Sequence, residues 1–296
     1  MFADASKNGV RMSKDPHVIE FGNRYLMYYS MPPSDSVGWT IGIAESHDLV
    51  NWVHVGEISP DGGCEKNGLC APCARVIDGQ VHIFYQTYGN GSKDAICHAV
   101  SSDGIRFLRD STNPIFSPPV SEWSNGRAID AEVCRFGGKY YLYFATRDTS
   151  GTYQMPGVAI ASGENGFGRS EWVLAKDAPI LSPQLPWEKK CIEGMSVIER
   201  NGRLYMFYAG GYNNDPQQIG VAVSDNGLDW TRISEMPFLP NGPEGSWNSS
   251  ESGHPHIFEA SDGETYLFYQ GNNTGGRDWY ISNCHIKWTA DGPYIP

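Results

Sequence analysis

The chain has 296 residues, 40% of them hydrophobic, and a formal net charge of −12 from 22 Lys and Arg against 34 Asp and Glu. That balance argues against a nucleic-acid partner, which needs clustered basic side chains facing phosphates, and no basic amphipathic stretch suggests a membrane partner. No apolar run approaches the ~20 residues that span a bilayer, and MFADASKNGVRMSKD at the start lacks the apolar core of a secretion signal.

Taken in order, the chain reads as five variations on one unit. Residues 1–14 are polar and irregular. From Asp15, DPHVIEFGNRYLMYYS predicts two strands about a tight turn, followed by WTIGIAES (Trp39–Ser46) and NWVHVGEI (Asn51–Ile58). A second unit opens at Ala71 with APCARVIDGQVHIFYQT and continues through AICHAVSSDG (Ala95–Gly104) and RFLRD. The third opens at Asp130 with DAEVCRFGGKYYLYFAT and continues through GVAIASGENG (Gly157–Gly166) and EWVLAKD. In the fourth, CIEGMSVIERNGRLYMFYAGG, Asn201-Gly202 between apolar runs predicts a hairpin with a primed turn. IGVAVSDNGLDWTRI (Ile219–Ile233) completes it. The fifth, HPHIFEASDGETYLFYQG from His254, has WYISNCHIKW (Trp279–Trp288) but no evident outer strand. Residues near Val10 are expected to supply that strand and close the ring.

The anchors Asp15, Ala71, Asp130, Glu193 and His254 stand 56, 59, 63 and 61 residues apart. A hairpin-based repeat cannot bury its own face and needs neighbours. Four short strands per repeat then predict an all-β, single-domain five-bladed β-propeller over residues 1–296, with blades starting near 15, 71, 130, 193 and 254. Most of the aromatic residues, 12% of the chain, fall in the strand runs and are assigned to packing.

Seven cysteines cannot all pair internally. Cys64, Cys70 and Cys73 form C-x5-C-x2-C without the second ligand pair usual for zinc, and a composite with Cys97 and His98 is a weak alternative. Scattered reduced thiols are the expectation, which favours a cytoplasmic location and leaves periplasm or secretion open if a leader was removed.

In a propeller the innermost strands line the axis, so equivalent positions converge. Asp15, Asp130 and Glu193 then become three carboxylates around one pocket. Like charges so close split their proton affinities, leaving one group protonated and another ionised. Glycosidic cleavage requires that pair: an acid for the leaving oxygen and a carboxylate for water. Alone, each would be an ordinary turn residue beside Pro or Gly; three in register point to a site.

With these motifs the chain resembles glycoside hydrolase family 43, from about Asp15 to Trp288. The resemblance implies that Asp15, in Asp15-Pro16, is the general base and that Glu193, in Glu193-Gly194, is the general acid. Asp130, after Ile129, would tune and orient that acid, and His254, after Gly253, would stand near a calcium ion or water cluster at the axis. It implies an inverting hydrolase acting on arabinofuranosyl or xylosyl residues of plant-type carbohydrates, with no required cofactor and calcium as a possible structural ion. Arg277, His256 and Trp39 are candidate sugar contacts, with Trp123 and Trp187 as further stacking candidates. Cys70-Ala71-Pro72-Cys73 stands where the family commonly shows Trp-Ala-Pro-Asp, and Ala131 and Met195 stand where Pro is frequent, so one subsite and the sugar are expected to differ. Retaining fructosidases of the same fold fit less well, because Lys14 precedes Asp15 and Gly194 follows Glu193. Phosphorylases would need a basic phosphate site that no motif displays. A non-catalytic glycan-binding propeller or an interaction propeller are the readings outside enzymology.

Overall fold

The computed structural model describes residues 1–7, 9–34 and 37–296. Five four-stranded antiparallel sheets, each in simple sequence order, form the blades of a β-propeller. The inner strands are Lys14–Phe21, Leu69–Ile77, Ile129–Phe136, Ile192–Arg200 and Glu251–Glu259. Each packs against the next, and the last packs against the first. Asn201 and Gly202 both have positive φ, 53° and 76°, in the two-residue turn pairing Arg200 with Arg203. Gly22-Asn23, Asp78-Gly79 and Gly137-Gly138 repeat this left-handed pair, whose twist suits two adjacent strands.

The second strand of every blade carries the aromatic run, and Tyr28, Tyr29, Phe84, Tyr85, Tyr143, Phe144, Phe207 and Tyr208 are fully buried. Each contributes about 1.5–3 kcal/mol by leaving water. Two of them also join blades, because the Tyr28 hydroxyl donates to the Gly104 carbonyl at 2.8 Å and the Tyr143 hydroxyl to Gly227 at 3.0 Å. Both carbonyls belong to the Ser-Asp-Gly and Ser-Asp-Asn-Gly turns of the following blade. There Ser101 and Ser224 Oγ accept from backbone N–H groups.

The fifth blade departs from expectation. Its outer strand is Gly292–Tyr294, folded back on Lys287–Thr289. Three residues after a tight turn give too short a pattern to read as a strand. The N-terminal segment contributes single bridges instead, Phe2 to Ile281 and Met12 to Trp279, and Val10 is exposed. Asp4 completes this clasp by accepting the Tyr29 hydroxyl of blade one at 2.5 Å.

Candidate active site

Every inner strand breaks register near the same end of the channel: between Lys14 and His17, Cys70 and Cys73, Ile129 and Glu132, Glu193 and Ser196, and Gly253 and His256. One residue in each bulge is left-handed: Asp15 (φ 51°), Ala71 (47°), Asp130 (52°), Gly194 (56°) and His254 (41°). For the four that are not glycine this costs of order 1–3 kcal/mol each. Side chains of neighbouring strands hold the strained backbone: Gln270 Oε1 accepts from Asp15 N–H at 2.9 Å, Gln86 Oε1 from Asp130 N–H at 2.7 Å and Ser30 Oγ from Ala71 N–H at 2.8 Å.

The bulge pattern corrects the repeat register. Gly194, not Glu193, is the blade-four equivalent of Asp15 and Asp130, and Glu193 takes the place of Lys14, Ile129 and Gly253. Glycine relieves crowding at 194, since a Cβ there would lie 3.0 Å from the His254 ring. At 253 a Cβ would meet Gln217 Oε1 at 1.7 Å.

The bulges aim three carboxylates and one imidazole into a cavity of about 330 Å³ at the channel mouth. His254 Nδ1 lies 3.1 Å from Asp15 Oδ1, and its Nε2 lies 3.5 Å from Glu193 Oε1. Glu193 is held on three further sides. Its Oε1 accepts from Gln217 Nε2 at 2.7 Å and from Asn213 Nδ2 at 3.2 Å, and its Oε2 accepts from Gln154. Asp130 is buried, and its Oδ2 has no hydrogen-bond partner among the described residues.

Burial alone would depress the His254 imidazole, but Asp15, Asp130 and Glu193 outweigh it and raise its pKa to about 10. Burial likewise pushes Glu193 upward, but the His254 cation and the Gln217 amide overcome it and bring the carboxyl down to about 2. Asp130 goes the other way. Burial, reinforced by Glu193 and Asp15, raises it to about 7 despite His254. The expectation put the raised carboxyl at Glu193; here the raised one is Asp130, because the imidazolium lies against Glu193.

Other expected contacts separate clearly. Trp39 lines the cavity, with its ring 5.9 Å from that of Tyr88. Arg277 lies outside the cavity lining, exposed, with Nε donating to the Thr274 carbonyl within its own loop. His256 is buried and outside the cavity lining, its ring centre 3.7 Å from that of His17 and tilted to it, with Nε2 donating to the Val18 carbonyl. Trp187 stacks on Tyr208, and Trp123 packs on Phe144; both are blade packing. The cysteine cluster does not converge. Cys64 meets Cys97 at 3.7 Å, Cys70 lines the cavity, and Cys73 donates to Glu132 inside the channel. Gln154, Gln217, Asn213 and Arg147 were missed. The only signal was a glutamine at or just before the third strand in blades three and four.

Beneath the site, Glu132 fills the axis. Its Oε1 accepts from Arg75 Nη2 at 2.5 Å and from Val197 N–H at 2.7 Å, while its Oε2 faces His17 Nε2 at 3.4 Å.

The family model described as glycosyl hydrolases family 43 matches residues 8–294. The chain belongs to this family. Among curated relatives of this family 43 chain, the beta-1,2-mannobiose phosphorylase of Thermoanaerobacter sp. (strain X514) is 28% identical over 128 residues, covering 38% of this chain and 40% of that protein. Alpha-L-arabinofuranosidase 43 of Humicola insolens is 26% identical over 265 residues, covering 84% and 52%. The matches thus span about half or less of those relatives. A crystal structure of a thermostable family-43 glycoside hydrolase superposes with a TM-score of 0.77 at 20% identity, covering 100% of this chain and 96% of that one. At that identity the superposition speaks for the fold.

Proposed function

We propose that this family 43 chain hydrolyses glycosidic bonds of arabinofuranosyl or xylosyl residues with inversion. The observation that carries the reading is the placement of Asp15 and Glu193 at opposite nitrogens of one imidazole, with the buried Asp130 carboxyl beside them. Two such contacts and the ring between them allow the carboxylates a separation of up to about 9 Å, which admits both the ~6.5–9.5 Å of an inverting pair and the ~5–5.5 Å of a retaining one. Inversion therefore rests on the family and is read from the first-formed anomer. In this reading Asp15 takes a proton from water as its oxygen bonds to the anomeric carbon. The bond from that carbon to the leaving oxygen breaks, and Glu193 delivers a proton to that oxygen. Asp130 and Glu193 share the retained proton. A sugar that shields Glu193 from His254 moves it to the acid.

The test is a screen of nitrophenyl arabinofuranoside, xyloside, galactoside and fructoside, with the first-formed anomer followed by ¹H NMR. Turnover of the arabinofuranoside or xyloside to the inverted sugar is expected. A retained anomer, or turnover of the fructoside alone, would replace this reading.

The family resemblance also implies a calcium ion beside His254, where Asp130 and Glu193 could offer it oxygens; we infer that the His254 cation takes its place. Calcium takes 6–8 oxygen ligands. His254 offers two nitrogens, both turned to carboxylates, and the adjoining cavity of about 30 Å³ suits one water. The imidazolium itself supplies positive charge at the axis. Accordingly EDTA is expected to leave both turnover and Tm unchanged. A fall in either that calcium restores would overturn this assignment.

A further inference from the structure

Besides the His254 imidazolium, three cations line the cavity that holds the carboxylates: Lys14, Arg127 and Arg147. Arg127 is already ion-paired, with Nε 3.4 Å from Asp94 Oδ2. The other two are not ion-paired among the described residues. Lys14 Nζ donates to Asn213 Oδ1 at 2.6 Å and stands 4.3 Å from the centre of the Trp279 ring. Arg147 Nε donates to Gln154 Oε1 at 2.9 Å, and its guanidinium lies 5.2 Å from the Tyr212 ring. Each accepting amide gives its own N–H to Glu193. Both free cations therefore sit one amide beyond the same carboxylate.

We infer that Lys14 and Arg147 form an anion subsite on the leaving-group side of the cavity, which takes the carboxylate of an acidic sugar such as a hexuronate. The inference rests on the hydrolase reading for its direction, because the leaving group departs past the acid that protonates it. Its physical basis is electrostatic. A cation near a general acid favours the ionised form, the wrong one for donating a proton. Two of them beside Glu193 work against a neutral leaving group. A bound carboxylate offsets both charges, gains charge-assisted hydrogen bonds from the guanidinium, and returns proton affinity to Glu193. The aromatic faces of Tyr212 and Trp279 hold the cations in place by cation–π contact.

Paired aryl glycosides test this, made on whichever sugar the screen identifies: 4-nitrophenyl against 3-carboxy-4-nitrophenyl. The two phenols are similar leaving groups and differ in charge. The carboxylated substrate is expected to show about tenfold higher kcat/KM, the scale of one charge-assisted hydrogen bond. That advantage should shrink with added salt and vanish in Arg147→Gln and Lys14→Gln, while Arg147→Lys keeps part of it; melting curves confirm that the variants fold. Equal kcat/KM for the two aglycones, or an advantage that survives both neutral variants, overturns the subsite. So does formation of a glycosyl phosphate on adding inorganic phosphate without any aglycone preference, since the cations would then serve an anionic acceptor. A binding arm keeps this separate from the hydrolase reading. Asp15→Asn titrated calorimetrically with glucuronate and with xylose should prefer glucuronate, and Asp15→Asn/Arg147→Gln should not. Absence of that preference overturns the subsite even if no glycoside is turned over.

Discussion

Asp15→Asn is expected to lower kcat by about 10²–10⁴ on every substrate, the range that a positioned base contributes. The loss should not depend on the leaving group, because Asp15 acts on the attacking water. Glu193→Gln is expected to behave differently. For a sugar leaving group, whose alkoxide needs a proton, the loss should match that of Asp15→Asn; for a dinitrophenolate, which departs as a stable anion, most of the activity should remain. The pH profile supplies a third measure. Asp130 and Glu193 hold one proton between them, and burial raises Asp130 to about 7. The wild-type kcat/KM should therefore fall as pH rises through about 7, because the pair then loses the proton it must deliver. His254, raised to about 10, remains charged through this window and does not cause the fall. Equal sensitivity of both variants to the leaving group would remove the division of roles. So would a wild-type profile flat from pH 6 to 9.

The sequence displayed the blades because their signals are local. Asn201-Gly202 needs only its own φ angles, and LYMFYAG needs only alternation and bulk. It displayed Asp15 and Asp130 for the same reason, as each opens a strand at the repeat spacing. Glu193 came into view through its neighbour: Gly194 occupies the left-handed position, and the spacing had been counted from the residue before it. What stayed hidden is what depends on closure. No local pattern says that Gln154 and Gln217 meet one carboxylate from two blades. Nor does any local pattern say that His254 bridges Asp15 and Glu193, or that Arg147 and Lys14, 133 positions apart, flank one acid. His256 shows the converse failure. It is a candidate sugar contact two positions after His254, where plain alternation would give both one strand face, but the bulge between Gly253 and His256 breaks that alternation and turns it down the channel.

Arg75→Met is expected to destabilise the protein by about 3–5 kcal/mol, the cost of removing one partner from a buried ion pair. At roughly 2–4 °C per kcal/mol for a chain of this size, Tm should fall by about 10 °C. The effect arises at Glu132, which is 1% exposed and would lose its strongest donor. The remaining neighbours cannot compensate. Burial, together with Arg75, holds His17 well below the usual imidazole range, so it faces Glu132 as a neutral ring, and Cys73 is a weak donor whose thiol burial pushes up. Two controls separate charge from packing. Lowering the pH should narrow the deficit, since protonating the orphaned carboxyl removes the buried charge. Arg75→Met/Glu132→Leu should recover much of the lost stability, because apolar replacement of a whole buried pair is often neutral. If Arg75→Met melts within 2 °C of wild type, Glu132 finds another counter-charge and the axis is not held by this pair. Strand geometry links the outcome to catalysis. Glu132 lies two residues beyond Asp130 on one inner strand, across the bulge that aims Asp130 at the cavity. A fixed Glu132 anchors that bulge from below, so Arg75→Met should also broaden or shift the limb near pH 7, as Asp130 loses its fixed distance from Glu193.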